Sequence, residues 1–169
     1  HQQTAAQWRQ DADDSFFSVD VVDPKDVPVK AGKLDLDYLI IDGAGSLDEH
    51  IVTISQVSSL IIIPVQPSAL DYWPAARLFK TLKPLKVTTA YLLTQARKRT
   101  TMTAEMIQTL SDEGSSFESV IHARTSYQLS IGRGQTVYEC DKVAAAEIDA
   151  VINEIQEALL PGLSHGILR

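Results

Sequence analysis

Residues 60–71 read Leu-Ile-Ile-Ile-Pro-Val-Gln-Pro-Ser-Ala-Leu-Asp, an apolar run followed at once by a proline-bounded turn. The first six residues are almost free of polar side chains, as expected of a strand buried on both faces of a parallel sheet. Beyond them, apolar side chains recur every four residues and predict a helix with Asp71 as its N-cap: Leu70, Pro74, Leu78 and Leu82. The stretch therefore predicts a buried strand that leads directly into a helix.

The rest of the chain repeats this alternation. Apolar, β-branched runs at 36–41 and 87–93 predict two more strands, and residues 117–121 predict a fourth. Helical spacing of apolar residues predicts helices over 102–110 and 148–159. Strands that alternate with helices form βαβ units, so we expect an α/β fold with three layers, a mostly parallel sheet flanked by helices. A length of 169 residues fits one domain, residues 1–169.

Composition excludes several classes of protein. The 15 Lys and Arg residues against 22 Asp and Glu give a net charge of −7, which excludes a uniformly basic surface for nucleic acid and leaves room for a local basic patch. The single cysteine, Cys140, cannot form an internal disulfide, so a reducing cytoplasm is expected. No apolar run reaches the roughly 20 residues of a membrane span, and no membrane partner is expected.

In open α/β sheets, ligands bind beyond the carboxyl ends of the strands. The first predicted strand ends in Asp37-Tyr38-Leu39-Ile40-Ile41-Asp42-Gly43-Ala44-Gly45-Ser46, which has the form of a Walker B element. A carboxylate held at a strand end, here Asp42, can bind Mg²⁺ beside a triphosphate. The glycines would let the following loop change conformation in response to the γ-phosphate. A strand that ends in a plain Asp-Gly turn gives the same pattern without a ligand.

Two other predicted strand ends carry polar residues. Pro67, Ser68 and Asp71 follow residues 60–65 and form a stiff loop that could line a base pocket, although Asp71 also suits a simple helix cap. Thr94 and the cations of residues 97–99 follow the next strand. Such a cluster is either a solvated loop or a contact for phosphate or DNA.

Taken together, residues 37–45, 60–71 and 91–97 resemble the ParA/MinD group of deviant Walker ATPases. They are most similar to ParF-like plasmid partition ATPases, which share the Asp-Gly-Ala-Gly-Ser form and the proline loop. Residues 121–147 and the start of the chain, Gln2 to Trp8, also resemble this family. The resemblance covers nearly the whole chain and implies a P-loop NTPase-like fold.

This resemblance implies an ATPase that acts in DNA segregation. ATP and Mg²⁺ would be sandwiched in a homodimer, and a centromere-binding ParB/ParG-like protein would stimulate hydrolysis. Asp42 would be the catalytic residue and the Mg²⁺ ligand, Gly43 and Gly45 would belong to the switch loop, and the remaining residues would bind the base end of the nucleotide: Pro67, Ser68, Asp71, Thr94 and Arg97. A cytoplasmic, nucleoid-associated protein is expected, with nonspecific DNA contact through a local basic patch, for which Arg97, Lys98, Arg99, Arg124 and Arg133 are the candidates.

One departure from the family is large. The family's glycine-rich P-loop, whose amides and lysines hold the phosphates, has no counterpart here. The single Gly-Lys pair, Gly32-Lys33, is followed by Leu34 where Ser or Thr is required. The resemblance therefore implies either a fragment of a longer ATPase, truncated at its N-terminus, or a chain that has lost hydrolysis and acts as a noncatalytic ParA-like interaction module.

Overall fold

A computed structural model describes Trp8, residues 17–43 and residues 50–159. Three short 3₁₀ turns cover Pro24–Asp26, Lys83–Leu85 and Val137–Glu139. The regular elements follow in chain order: α1 (Val27–Ala31), α2 (His50–Ser55), β1 (Leu60–Val65), α3 (Ala69–Leu82), β2 (Thr88–Ala96), α4 (Thr101–Glu113), β3 (Ser116–His122), α5 (Thr125–Ile131) and α6 (Lys142–Leu159).

The sheet has three parallel strands in the order β1-β2-β3. Helices α3 and α4 cover one of its faces, where Ile63, Val65 and Tyr91 are buried together with Met106 and Leu110. Helix α6 covers the other face in a second apolar cluster, which contains Ala90, Phe117 and Val151. This arrangement confirms the predicted α/β fold of three layers, with a parallel sheet flanked by helices. No helix in the described part of the chain is long and apolar enough to cross a bilayer.

Strand β1 is less buried than its sequence predicts. Ile63 and Val65 are buried, whereas Leu60 and Ile62 are half-buried and Pro64 is exposed. Within the described residues β1 pairs only with β2 and so lies at the edge of the sheet, the position in which a strand tolerates a proline. The prediction of burial on both faces is therefore confirmed only in part: Ile63 and Val65 are buried in one cluster, whereas Leu60 and Ile62 pack half-buried against the other.

Residues 36–41 do not form the predicted strand. They belong to no helix or sheet. Four of their apolar side chains are exposed, Leu36, Tyr38, Leu39 and Ile40, the last at 91%, and Ile41 is half-buried. A strand needs a hydrogen-bonding partner as well as β-branched residues, and no described segment pairs with this one. The prediction of a strand at 36–41 was therefore wrong for the structure described here, and the Walker B role of Asp42 stays a prediction.

Helix α3 begins earlier than predicted. Ser68 is its N-cap, with an extended backbone and a side-chain oxygen that accepts the N–H of Leu70 at 3.2 Å. Asp71 lies in the first turn, where a carboxylate interacts favourably with the helix dipole. The prediction of Asp71 as the cap was wrong because Ser68, held directly after Pro67, supplies the capping oxygen first.

The buried face of α3 also differs from the predicted one. Of the predicted residues, Leu82 is buried and Leu78 packs half-buried against the core, but Leu70 and Pro74 are exposed and Ala75 and Ala76 are buried instead. Small side chains let the helix approach the sheet closely, so the alanine face packs inward although it is less hydrophobic per residue. The helix itself is confirmed, as are the helices predicted over 102–110 and 148–159 and the strands predicted at 87–93 and 117–121.

Candidate functional site at the carboxyl ends of the strands

The ends of β1 and β2 meet at one edge of the sheet. Val65 pairs with Leu93, and the hydroxyl of Thr94 donates to the carbonyl oxygen of Val65 at 3.3 Å. The two predicted base-side segments, 67–71 and 94–97, therefore follow neighbouring strands that are tied together at their ends. The structure brings these predicted residues to one edge, as parallel pairing requires.

The loop after β1 is held by its own backbone. The N–H of Ser68 donates to the carbonyl of Gln66 at 2.7 Å, and the N–H of Asp71 donates to the carbonyl of Ser68 at 3.2 Å. Pro67 stiffens the turn between strand and helix. The Ser68 side-chain oxygen caps the helix. Its hydroxyl proton and the exposed Asp71 carboxylate suit polar contacts with a ligand rather than a catalytic role.

The end of β2 carries a bulge that sets the direction of its last residues. The strand pairing shifts register between Leu93 and Ala96, and Gln95 within this stretch has a positive φ of 53°. An extra residue in one strand bends it and redirects the side chains that follow. Beyond the bulge, the carbonyl of Arg97 accepts hydrogen bonds from Thr100 at 3.0 Å and Thr103 at 2.9 Å, which fixes the backbone while the Arg97 side chain remains exposed.

Strand β3 carries a second irregularity, and a carboxylate fills it. Pairing with β2 shifts between residues 116 and 120, and the N–H groups of Glu118 and Ser119 donate to the two carboxylate oxygens of Glu154, at 2.8 and 2.7 Å. Glu154 is 8% exposed. Its carboxylate therefore supplies the acceptors that the interrupted ladder does not provide, as buried backbone donors require.

A second carboxylate of α6 holds the end of the same strand. Glu147 accepts the backbone N–H of His122 at 3.1 Å, contacts the His122 ring at 2.9 Å and accepts from the Arg124 guanidinium at 2.7 Å. Burial alone would raise the pKa of Glu147, but the hydrogen bonds from Arg124 and His122 hold it below its ordinary value. Arg124, a candidate for DNA contact, is thus engaged in an ion pair.

Helix α6 is capped by a third carboxylate. One oxygen of Asp141 accepts the N–H groups of Val143 and Ala144, each at 3.0 Å, and the other accepts the Ser126 hydroxyl at 2.7 Å. The Ala144 N–H and the Ser126 hydroxyl lower the pKa of Asp141. Helix α5 is thereby joined to the start of α6.

The sequence analysis did not identify Glu147 and Glu154 as structural acceptors. A signal for them is present: with Val151 they follow the 4-then-3 spacing of one helix face, so two acidic residues lie in a stripe that is otherwise apolar. Charged residues in such a stripe indicate a partner across the packed face.

Asp42 has no described contact with this ordered edge. It is exposed in the irregular segment that follows α1, and no described residue donates a hydrogen bond to it. Gly43 has open space where a Cβ would stand, and Gly45 lies outside the described residues. The structure thus brings Pro67, Ser68, Asp71, Thr94 and Arg97 to one edge and does not join Asp42 to them.

The residues described do not form a complete site for MgATP. Asp42 offers the oxygen donors that Mg²⁺ prefers, and the loop after β1 offers polar groups for a base. No turn of consecutive backbone amides with a Gly-Lys-Ser or Gly-Lys-Thr sequence is present in the chain to hold the phosphates. Among the described residues, no group of three or more His, Cys, Asp or Glu side chains could hold a metal ion.

Comparison with known proteins gives one informative similarity. The chain is 27% identical over 129 residues to the maintenance of carboxysome distribution protein A of Halothiobacillus neapolitanus, a match that covers 70% of this chain and 60% of that protein. The chain therefore spans less than two thirds of the length of this relative. No family model matches the chain. The similarity supports the ParA/MinD resemblance of the motifs at the level of that broad group, and does not distinguish ParF-like proteins within it.

Proposed function

We propose that this chain acts in a ParA-type ATPase that uses MgATP-dependent dimerisation or assembly to move or position DNA, in the manner of ParF-like plasmid partition proteins. The relative is named for the distribution of carboxysomes. Positioning is the activity that a DNA cargo and a carboxysome cargo would share. The chain would form a single α/β domain over residues 1–169.

The observation that carries this proposal is the polar edge at the ends of β1 and β2. Ser68 begins a helix immediately after β1, and the Thr94 hydroxyl links β2 to the carbonyl of Val65. Ligands of open α/β sheets bind at such an edge. Pro67, Asp71 and the flanking polar groups would contact the base end of ATP there.

Asp42 would supply the Mg²⁺ ligand. Its carboxylate is exposed and carries no described hydrogen bond, so its oxygens are free to bind an ion. In the proposed complex Asp42 would hold Mg²⁺ or one of its waters, and Gly43 with Gly45 would give the following loop its freedom to respond to nucleotide. The phosphates would be held by groups that this chain does not supply.

The proposed partners follow from the same assignment. A second copy of the protein would complete the dimer, and a centromere-binding ParB/ParG-like protein would stimulate ATP turnover. Nonspecific DNA contact would use a local basic patch and would weaken steeply with salt. Arg97, Lys98 and Arg99 are exposed and suit this contact better than Arg124, which pairs with Glu147. A protein with these partners would lie at the nucleoid in the cytoplasm.

A noncatalytic interaction module is the second candidate. It is favoured by one observation: the only Gly-Lys pair, Gly32-Lys33, lies at the end of α1 and leads into Leu34 rather than into Ser or Thr. Such a protein would keep the surfaces of a ParA-like domain and would not respond to ATP.

Sedimentation velocity of the complete gene product, with and without MgATP, separates the two candidates. The proposal predicts that MgATP converts the protein from monomer to dimer and that chelation of Mg²⁺ reverses the change. Asp42→Ala is expected to abolish the response, because it removes the metal ligand. Asp37→Ala, which changes an exposed carboxylate of the same segment, is the matched control and should respond like the wild type.

The outcomes are distinct. An unaltered sedimentation coefficient in MgATP would contradict the ATPase proposal and support the noncatalytic module. A nucleotide-dependent dimer that persists in Asp42→Ala would show that another group binds Mg²⁺.

A further inference from the structure

The cations of this acidic chain are concentrated in one part of the sequence. Residues 72–104 contain seven Lys and Arg side chains and no Asp or Glu; Asp71 and Glu105 are the carboxylates on either side. The whole chain carries a net charge of −7. A run of 33 residues without a carboxylate is therefore a local reversal of the charge of the protein, and its place in the fold determines what it can bind.

The fold separates these cations into two groups. Helix α3 starts at the carboxyl end of β1 and returns toward the start of β2, so the cations on it and on the turn after it lie away from residues 97–99. The first group comprises Arg77, Lys80, Lys83 and Lys86, and Trp73 lies one turn before Arg77. We call these five residues the α3 ridge.

The charges of the α3 ridge are not neutralised within the described structure. All four cationic side chains are exposed, and none of them forms an ion pair with a residue in the described ranges. Exposed, unpaired cations attract an anionic partner, most strongly where several lie in a row. From Arg77 to Lys83 the row extends about 9 Å along the helix, at 1.5 Å per residue.

An exposed aromatic ring accompanies the cations. Trp73 is 60% exposed and lies four residues before Arg77 and seven before Lys80, so the three side chains share one side of α3. Trp73 stacks on no ring in the described part of the chain. A large aromatic residue with an open face is a feature of binding surfaces more than of solvated helices.

The ring and two of the cations line one groove. Its volume is about 410 Å³, and its wall is formed by Tyr72, Trp73, Ala76, Arg77, Lys80 and Glu113. Burial and the neighbouring Glu113 carboxylate raise the pKa of Tyr72, so the one carboxylate of the groove lies on the Tyr72 side. An anionic ligand would therefore lie on the side of Arg77 and Lys80, next to the Trp73 ring.

We infer that the α3 ridge binds single-stranded nucleic acid, with an unpaired base stacked on Trp73 and the phosphates held by Arg77, Lys80 and Lys83. Base stacking on an exposed aromatic ring combined with a row of cations is how single strands are bound without sequence preference. Duplex DNA would use the cations and leave the ring without a partner. An acidic polypeptide would likewise have no use for the ring.

The ridge starts at Trp73, two residues after Asp71, and its cations run away from the strand ends assigned to ATP toward the start of β2. The inference does not depend on the proposed ATPase function. The test uses the full protein without ATP or Mg²⁺. Binding of a fluorescein-labelled 15-nucleotide oligothymidylate is measured by anisotropy from 50 to 200 mM salt. Failure of this experiment would leave the ATPase proposal intact, and failure of the sedimentation experiment would leave this one intact.

Substitution of the ring tests the stacking. Trp73→Ala should weaken oligothymidylate binding about 10-fold or more, since one stacked base contributes about that much, and Trp73→Phe should restore most of the loss. Ile152→Ala, at an exposed apolar residue of α6 on the other face of the sheet, is the control and should bind like the wild type. Equal binding by Trp73→Ala and wild type would overturn the inference.

Substitution of a cation tests the phosphate contact. Lys80→Gln should reduce the slope of log affinity against log salt by about 0.7, the value for one phosphate of a single strand. Lys142→Gln, at an exposed lysine of α6, should leave the slope unchanged. Equal effects of the two substitutions would contradict a contact located on the α3 ridge.

Fluorescence provides a measurement that does not require loss of binding. In a Trp8→Phe background Trp73 is the single tryptophan, and a stacked base should quench it on saturation with oligothymidylate. Saturation without quenching would overturn the inference, as would equal competition by duplex DNA or by polyglutamate of matched charge. Either competitor result would assign the ridge to a different anionic partner.

Discussion

Replacement of Glu154 should destabilise the fold through two backbone groups of β3. The Glu154 carboxylate is almost fully buried and accepts the N–H groups of Glu118 and Ser119 at 2.8 and 2.7 Å. These two donors lie where the ladder between β2 and β3 is interrupted. Glu154→Ala removes both acceptors and leaves an apolar methyl group facing two polar groups.

The magnitude follows from the number and kind of hydrogen bonds. A hydrogen bond to a charged group contributes about 1.5–3 kcal/mol, which for two bonds sets the upper limit. Because Glu118 is exposed, water can accept the Glu118 N–H in the variant and recover part of the lost hydrogen-bond energy. We therefore expect Glu154→Ala to lower the free energy of unfolding by about 2–4 kcal/mol. Glu154→Gln keeps one acceptor oxygen but turns its NH2 donor toward the second N–H, so it should also destabilise the fold.

Urea denaturation followed by circular dichroism measures this change, with the slope m expected to stay constant because the surface exposed on unfolding is unaltered. Glu157→Ala is the matched control, since Glu157 is exposed on the same helix and its removal should cost at most about 0.5 kcal/mol. Amide hydrogen exchange at residues 118 and 119 should accelerate in Glu154→Ala alone. Equal stability of Glu154→Ala and Glu157→Ala would refute the reasoning.

Three further predictions concern packing and charge. Gly114→Ala should lose about 1–3 kcal/mol of stability by overpacking, because its Cβ would lie 2.5 Å from Cζ of Phe79, whose ring is stacked on Tyr91. Gly132→Ala, whose Cβ would lie 3.5 Å from its nearest atom, should lose no stability by overpacking, and equal melting temperatures for the two variants would contradict the packing argument. Tyr91→Phe should raise stability by about 1 kcal/mol, since the buried hydroxyl has no hydrogen-bond partner among the described residues, and a loss in urea denaturation would reveal a hidden partner. The pKa of Glu147 is lowered in the folded state, so ionised Glu147 stabilises the fold fully above its unfolded pKa, and this stabilisation is lost as pH falls through its folded pKa. Glu147→Gln should therefore flatten the acid side of a plot of unfolding free energy against pH, and an unchanged acid side would show that Glu147 is not the group responsible.

The sequence was sufficient for the elements whose signal is local. Residues 87–93 and 117–121 form strands as predicted because β-branched and aromatic residues favour the extended backbone. Helices over 102–110 and 148–159 follow from apolar spacing that matches the helical repeat. The order of these elements then fixed a parallel sheet with helices on both faces, because successive parallel strands need a crossover.

The tertiary structure decided what depends on neighbours. Residues 36–41 have the composition of a strand but lie unpaired, since hydrogen-bonding partners are not encoded in a local pattern. The buried face of α3 runs through Ala75 and Ala76 because close approach to the sheet outweighs the hydrophobicity of single residues such as Leu70. Glu154 acts as an acceptor because β3 departs from regular pairing at that point, and only the register of two strands reveals that departure.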